Sequence, residues 1–312
     1  MYNIFLGDSM SDFKRYQQSI CEIPEFLYKY LELDSMNRLK DISLLCGMDY
    51  ASPHMYDFAF YVSRYDHSLN VALITWRLTH DKTQTLAALF HDISTPVFSH
   101  VIDYMNGDYI NQESTENKNM EVLLSTKNLL QYLKEDNINI DDIIDFKRHT
   151  IVDLPRPCLC ADRLDNTVGS TGMAWAKKAN YKQTKEVLDS MYIDKNEYGQ
   201  DEICLSSLSA ARYMVDINDY LNELSQTKED NYMMMLLADL VRLTIDEGII
   251  TYDDLYKLTE HDYLKIIKEH LYIPELNDYY HTFKTVKEPD IPTGIVVKDR
   301  VLNPIVNGKR YK

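Results

Sequence analysis

The chain has 312 residues, 45% hydrophobic and 26% charged, a balance that suits a globular protein and excludes a disordered one. Nine glycines and nine prolines are about half the usual share, which argues against a turn-rich β-sandwich and for a mostly helical fold. The formal net charge of −16 repels phosphate backbones and anionic membranes, so neither non-specific nucleic-acid binding nor a membrane partner is expected.

Taken in chain order, residues 1–16 carry no basic start followed by an apolar run, so no secretory signal is read there and a cytoplasmic location is expected. Apolar residues at helical spacing predict a helix over 67–80 and a turn at Asp81–Thr83. A second helix over 85–92 returns against the first and is stopped by Pro96, and a third starts at Ser99 and runs to Met105. A polar loop follows over 106–119, then helices over 122–132, 138–146 and 160–168, and further ones over 206–224, 231–247 and 251–271. From Thr282 to Val306, three prolines and short apolar runs around Gly294–Val297 predict strands or an extended arm. The five cysteines are scattered without a CxxC pair, which excludes a zinc-finger spacing or a disulfide framework. The expected fold class is all-α: a helical bundle over 1–272, with a strand-like tail over 273–312 packed on the core or on a second subunit.

His91 and Asp92 close one apolar helix, and His67 lies 24 residues earlier on its antiparallel neighbour. Asp162 lies on a later helix with apolar neighbours. Two imidazoles and two carboxylates make a mixed N/O set suited to Fe, Mn, Zn, Ni or Mg, with positions left for water and substrate.

The segments Ser63-Arg64-Tyr65-Asp66-His67-Ser68-Leu69 and His91-Asp92-Ile93-Ser94-Thr95-Pro96-Val97-Phe98-Ser99-His100, with Ala161-Asp162-Arg163-Leu164-Asp165, resemble the HD superfamily of metal-dependent phosphohydrolases. They are most similar to its deoxynucleoside triphosphate triphosphohydrolases. The resemblance implies an HD helical bundle holding one divalent metal per chain on His67, His91, Asp92 and Asp162. It implies that Arg64 and Arg163 contact substrate phosphate, that His100 with Asp103 serves catalysis, and that the chain is a homo-oligomer acting on a small phosphorylated substrate, a nucleotide.

Departures from the family pattern are Ser94 in place of a glycine, Thr95 at a catalytic histidine of some members, no histidine over 112–119, and Asn166 at a common tyrosine. The implied alternatives are a phosphomonoesterase of the 5′-deoxynucleotidase kind, a hydrolase of a signalling nucleotide, or a sensor that binds nucleotide or metal without turnover. His149 is read as a spare histidine beside a single-metal site.

Overall fold

The computed structural model describes residues 3–115, 118–288 and 295–312, with the backbone alone for residues 3–8. Gly294 of the expected extended arm therefore lies outside the described residues. Helix α1 (Asn3–Ile20) packs its buried Phe13, Tyr16 and Ile20 against the centre of the molecule, where α2 (Arg64–Thr79) and α3 (Lys82–Phe90) form an antiparallel pair.

Local chemistry fixes that pair. The Ser63 hydroxyl accepts from the Asp66 amide while Asp66 reaches back to the Ser63 amide, a reciprocal cap that starts α2 at Arg64. His80 ends α2 in the left-handed region at φ 52°, and the Asp81 carboxylate caps α3 by accepting from the Thr83 and Gln84 amides. Thr85 to Phe90 are all buried, so α3 enters the core after its exposed first residue, Lys82. It ends at Phe90, earlier than Pro96 would require. The Nδ1 of His91 bonds the Ala88 carbonyl at 2.7 Å, and turns carry the chain on to Ser99. Helix α4 (Val101–Met105) follows.

Several expected helices are shorter or divided. Residues 122–132 form two helices, α5 (Asn119–Ser125) and α6 (Leu129–Glu135), because Asn128 takes a left-handed φ of 66° between them. Over 138–146 only Asp141–Ile144 is α-helical. Helix α7 (Ala161–Leu164) widens at once into a π-helical turn over Asp165–Ser170. The widening brings Gly169 against Tyr16, where a Cβ would lie 2.4 Å from the tyrosine ring.

The longer helices that follow are α8 (Tyr181–Ser190), α9 (Leu208–Ser225), α10 (Lys228–Asp246), α11 (Glu260–Glu269) and α12 (Pro274–Thr285). The expectation of an all-α fold is corrected by a four-stranded sheet of β1 (Met191–Lys195), β2 (Asp201–Leu205), β3 (Ile305–Val306) and β4 (Lys309–Arg310). β1 and β2 are an antiparallel hairpin, β3 adds parallel to β2, and β4 returns through Asn307-Gly308, whose positive φ values suit a tight two-residue turn. Among its described residues, the segment 273–312 is thus helix first, with Leu276 and Phe283 of α12 buried, and strand at its end. Among the described residues, no helix is long and apolar enough to cross a membrane.

Candidate metal centre and its cavity

The start of α2, the end of α3 and α7 converge on one wall of a cavity of about 740 Å³ lined by Arg64, His67, His91, Asp92, His100 and Asp162, among others. The rings of His67 and His91 meet edge to face with centroids 5.3 Å apart. Donor atoms of His67, His91 and Asp162 all lie within 4.8 Å of one another. The Nε2 of His67 is 3.1 Å from Asp162 Oδ1, and Asp92 Oδ2 is 3.9 Å from His67 Nε2 and 3.6 Å from His91 Nε2. The fold therefore brings together all four residues that the sequence nominates as ligands.

Each imidazole is oriented from behind. His67 Nδ1 bonds Asp165 Oδ2 at 2.7 Å, and His91 Nδ1 bonds the Ala88 carbonyl, so both rings turn Nε2 toward the cavity. Asp165 is fully buried and is itself held by the hydroxyls of Tyr16 at 2.7 Å and Ser170 at 2.6 Å. Asp165 is a functional residue that the motif reading leaves without a role. Its signal was its place three residues after Asp162, which puts both carboxylates on one helical face.

The electrostatics concentrate negative charge on buried nitrogen donors. Burial alone would lower the His67 pKa, but the hydrogen bonds and charges of Asp162 and Asp165 override it and push it up to about 10. Burial works against ionised Asp92 and Asp162 as well. The Arg64 guanidinium and the two imidazoles hold Asp92 well below the usual carboxylate range, while His67, His91 and Arg163 do the same for Asp162. Two imidazole Nε2 atoms and anionic oxygens gathered at this spacing, with both rings fixed in the correct sense, fit a divalent cation.

The surrounding candidates differ in how they are engaged. Arg64 bonds Asp92 Oδ2 at 2.7 Å through Nη1 and Ser99 through Nε, at the cavity wall. His100 lines the cavity and bonds Asp103 through Nδ1 at 2.9 Å, while the buried Asp103 also accepts from Ser114. Arg163 is buried, and its guanidinium donates to the carbonyls of Cys158 and Leu154 and to Asp153. Its bonds hold the 153–158 loop at the cavity edge. His149 bonds the Asp142 carbonyl and is not among the cavity residues. Asp153 and Cys160 form a second close donor group with Asp162.

The rest of the cavity comes from elements remote in sequence. Tyr56 and Phe58 stack with centroids 5.1 Å apart, Phe58 meets Trp175 edge to face, and Asp230 of α10 and Arg300 of the tail complete the wall.

Residues 64–168 match the family model described as the HD domain. This part of the chain resembles an HD domain. The match begins at Arg64 and spans His67, His91, Asp92, His100, Asp103, Asp162 and Arg163, whereas Tyr16, Tyr56, Asp230 and Arg300 lie outside it.

The chain is 26% identical over 210 residues to the uncharacterized protein YdhJ of Bacillus subtilis, covering 66% of this chain and 61% of that one. It is 31% identical over 109 residues to the metal-dependent phosphohydrolase cns2 of Cordyceps militaris, covering 33% of this chain and 30% of that one. It therefore spans less than two thirds of the length of either relative. A crystal structure of a hypothetical protein from Aquifex aeolicus shares the fold, with a TM-score of 0.53 at 16% identity over 84% of this chain and 71% of that one. The resemblance read from the motifs to the HD superfamily thus agrees with the family match.

Proposed function

We propose that the protein is a metal-dependent phosphohydrolase that cleaves a phosphate ester or anhydride of a nucleotide. The observation that carries this reading is the convergence of His67, His91 and Asp162 donors within 4.8 Å, beside Arg64, on the wall of a cavity large enough for a nucleotide. A divalent cation held by His67, His91, Asp92 and Asp162 would supply Lewis-acid polarisation and a bound water acidified toward neutrality.

The chain's own residues supply the remainder. Arg64 offers a buried guanidinium, oriented by Asp92 and Ser99, to a phosphoryl oxygen carrying developing charge. Asp103 fixes His100 as the Nδ1–H tautomer, so Nε2 is the ring atom available for proton transfer to a leaving group or from water. Burial and the charge of Arg64 lower the His100 pKa, opposed by Asp103, and favour a neutral ring that can accept a proton. Arg163 keeps the 153–158 loop in place and adds positive charge near Asp162, so its part in phosphate binding is through the field and the loop. One metal per chain is the expected stoichiometry.

The similarity to the triphosphohydrolase branch makes a deoxynucleoside triphosphate the first substrate to try. Incubation of the metal-loaded protein with nucleotides, followed by chromatography, tests the function. Inorganic triphosphate as product identifies the triphosphohydrolase reaction, and orthophosphate identifies a phosphomonoesterase. Full activity in an Asp92→Ala variant contradicts the reading, as does binding of metal with no turnover of any nucleotide, which marks a sensor.

A further inference from the structure

The cavity carries a second polar group, built from Asp230 and Arg300, which lies outside the HD domain match. Asp230 is the third residue of α10, after the cap Thr227, whose side chain accepts from the Asp230 amide. Aspartates at the same position elsewhere in this fold, Asp66, Asp254 and Asp262, reach back to bond the amide of the cap. The Asp230 side chain makes no such return. One oxygen accepts from the Tyr56 hydroxyl at 2.7 Å, and the residue lines the cavity. An ordinary capping role therefore does not account for it.

Arg300 is placed there by the tail. Its amide donates to the Asn222 side chain and its carbonyl accepts from Asn218, which ties the strand of chain to α9. Its guanidinium reaches the Gln112 oxygen at 2.7 Å and the Ser225 hydroxyl and Lys298 carbonyl at 3.2 Å. All three partners are neutral, so among the described residues no direct contact compensates its charge. Asp230 and Arg300 feel one another's charge, yet among the described residues neither is in a salt bridge.

The pairing constrains what can occupy this part of the cavity. A second phosphate would suit Arg300 and be repelled by Asp230; an amine would suit Asp230 and be repelled by Arg300. A neutral planar ring edge with an N–H donor beside an acceptor satisfies both, and the aromatic wall of Tyr56, Phe58 and Trp175 offers faces for such a ring.

We propose that Asp230 and Arg300 are the specificity residues of this cavity, reading the hydrogen-bonding edge of a nucleobase. The inference deepens the phosphohydrolase reading and rests on it for the substrate's phosphate. Its own chemistry, however, needs only the base.

Equilibrium dialysis of the metal-loaded protein with the four common deoxynucleosides, and separately with inorganic phosphate, tests it without turnover. The expected result is that at least one nucleoside binds and that Asp230→Asn weakens it tenfold or more and changes the ranking of bases, with phosphate binding unchanged within twofold. Arg300→Lys should weaken the same nucleoside. Because that change also touches the bonds holding the tail, Asp230→Asn with an unchanged melting temperature is the deciding variant. Nucleosides that do not bind, or that bind Asp230→Asn as tightly as the parent protein, overturn the inference while leaving the phosphohydrolase reading intact. Nucleoside binding sensitive to Asp230, in a protein that neither binds phosphate nor hydrolyses nucleotides, upholds the inference and removes that reading instead.

Discussion

His67 is bonded to Asp165 through Nδ1 at 2.7 Å, from a carboxylate with no solvent exposure, so the ring that faces the cavity is held by a group that never reaches it. Asp165 in turn is fixed by Tyr16 from α1 and Ser170 from the π-helical turn. Metal affinity should therefore depend on a residue that is not a ligand. Carboxylates behind a ligating imidazole fix its tautomer and raise its basicity, and their loss commonly costs 10–100-fold in affinity. Asp165→Asn should lower divalent-metal affinity by about that factor, measured by competition with a chromophoric chelator, and Tyr16→Phe should lower it less.

The stability of the protein should fall as pH rises through the neutral range because of Glu260. This carboxyl at the start of α11 is fully buried, accepts from the Phe98 amide, and leaves its other oxygen without a partner among the described residues. Burial, with Asp49 and Asp41 nearby, pushes its pKa from 4.5 up to about 8. Between those values the folded chain holds a proton that the unfolded chain has released. Stability contributed by the neutral form is therefore complete below pH 4.5 and is lost as pH rises toward 8. Glu260→Gln should flatten that dependence and raise the melting temperature at pH 8, read by circular dichroism melts across the range.

The chain's last strand is locked by charge as well as by pairing. Arg310 of β4 contacts Glu202 of β2 at 2.6 Å, and Glu202 is fully buried, accepting also from the Leu159 amide and Asn196. Removing the guanidinium leaves a buried carboxylate without its counter-charge, a change that typically costs about 3–5 kcal/mol. Arg310→Met should show a loss of that order in urea unfolding, and Arg310→Met with Glu202→Gln should recover part of it.

The convergence of His67, His91, Asp92 and Asp162 was legible because these residues sit in short, dense words at the ends of helices whose apolar spacing is unmistakable. His67 and His91 could be placed on facing helices from their separation alone. Short strands near the tail were legible from its apolar runs, but the β1–β2 hairpin and the pairing were not: β3 and β4 have two residues each, and β3 pairs with β2 across some hundred positions of sequence. For the same reason Arg300 carried no signal, since its place in the cavity depends on the tail lying along α9. Asp230 read as one more acid in a helix's first turn, and only the direction of its side chain separates it from Asp66 or Asp262.

One divalent cation should sit among His67, His91, Asp92 and Asp162. Metal content per chain, determined by mass spectrometry of the purified protein after loading with iron, manganese or zinc and removal of excess, tests it most directly. The expected result is one ion per chain in the parent protein and a large loss in Asp162→Ala and His91→Ala variants that remain folded. A parent protein that retains none of these metals, or variants that retain as much as the parent, would contradict it.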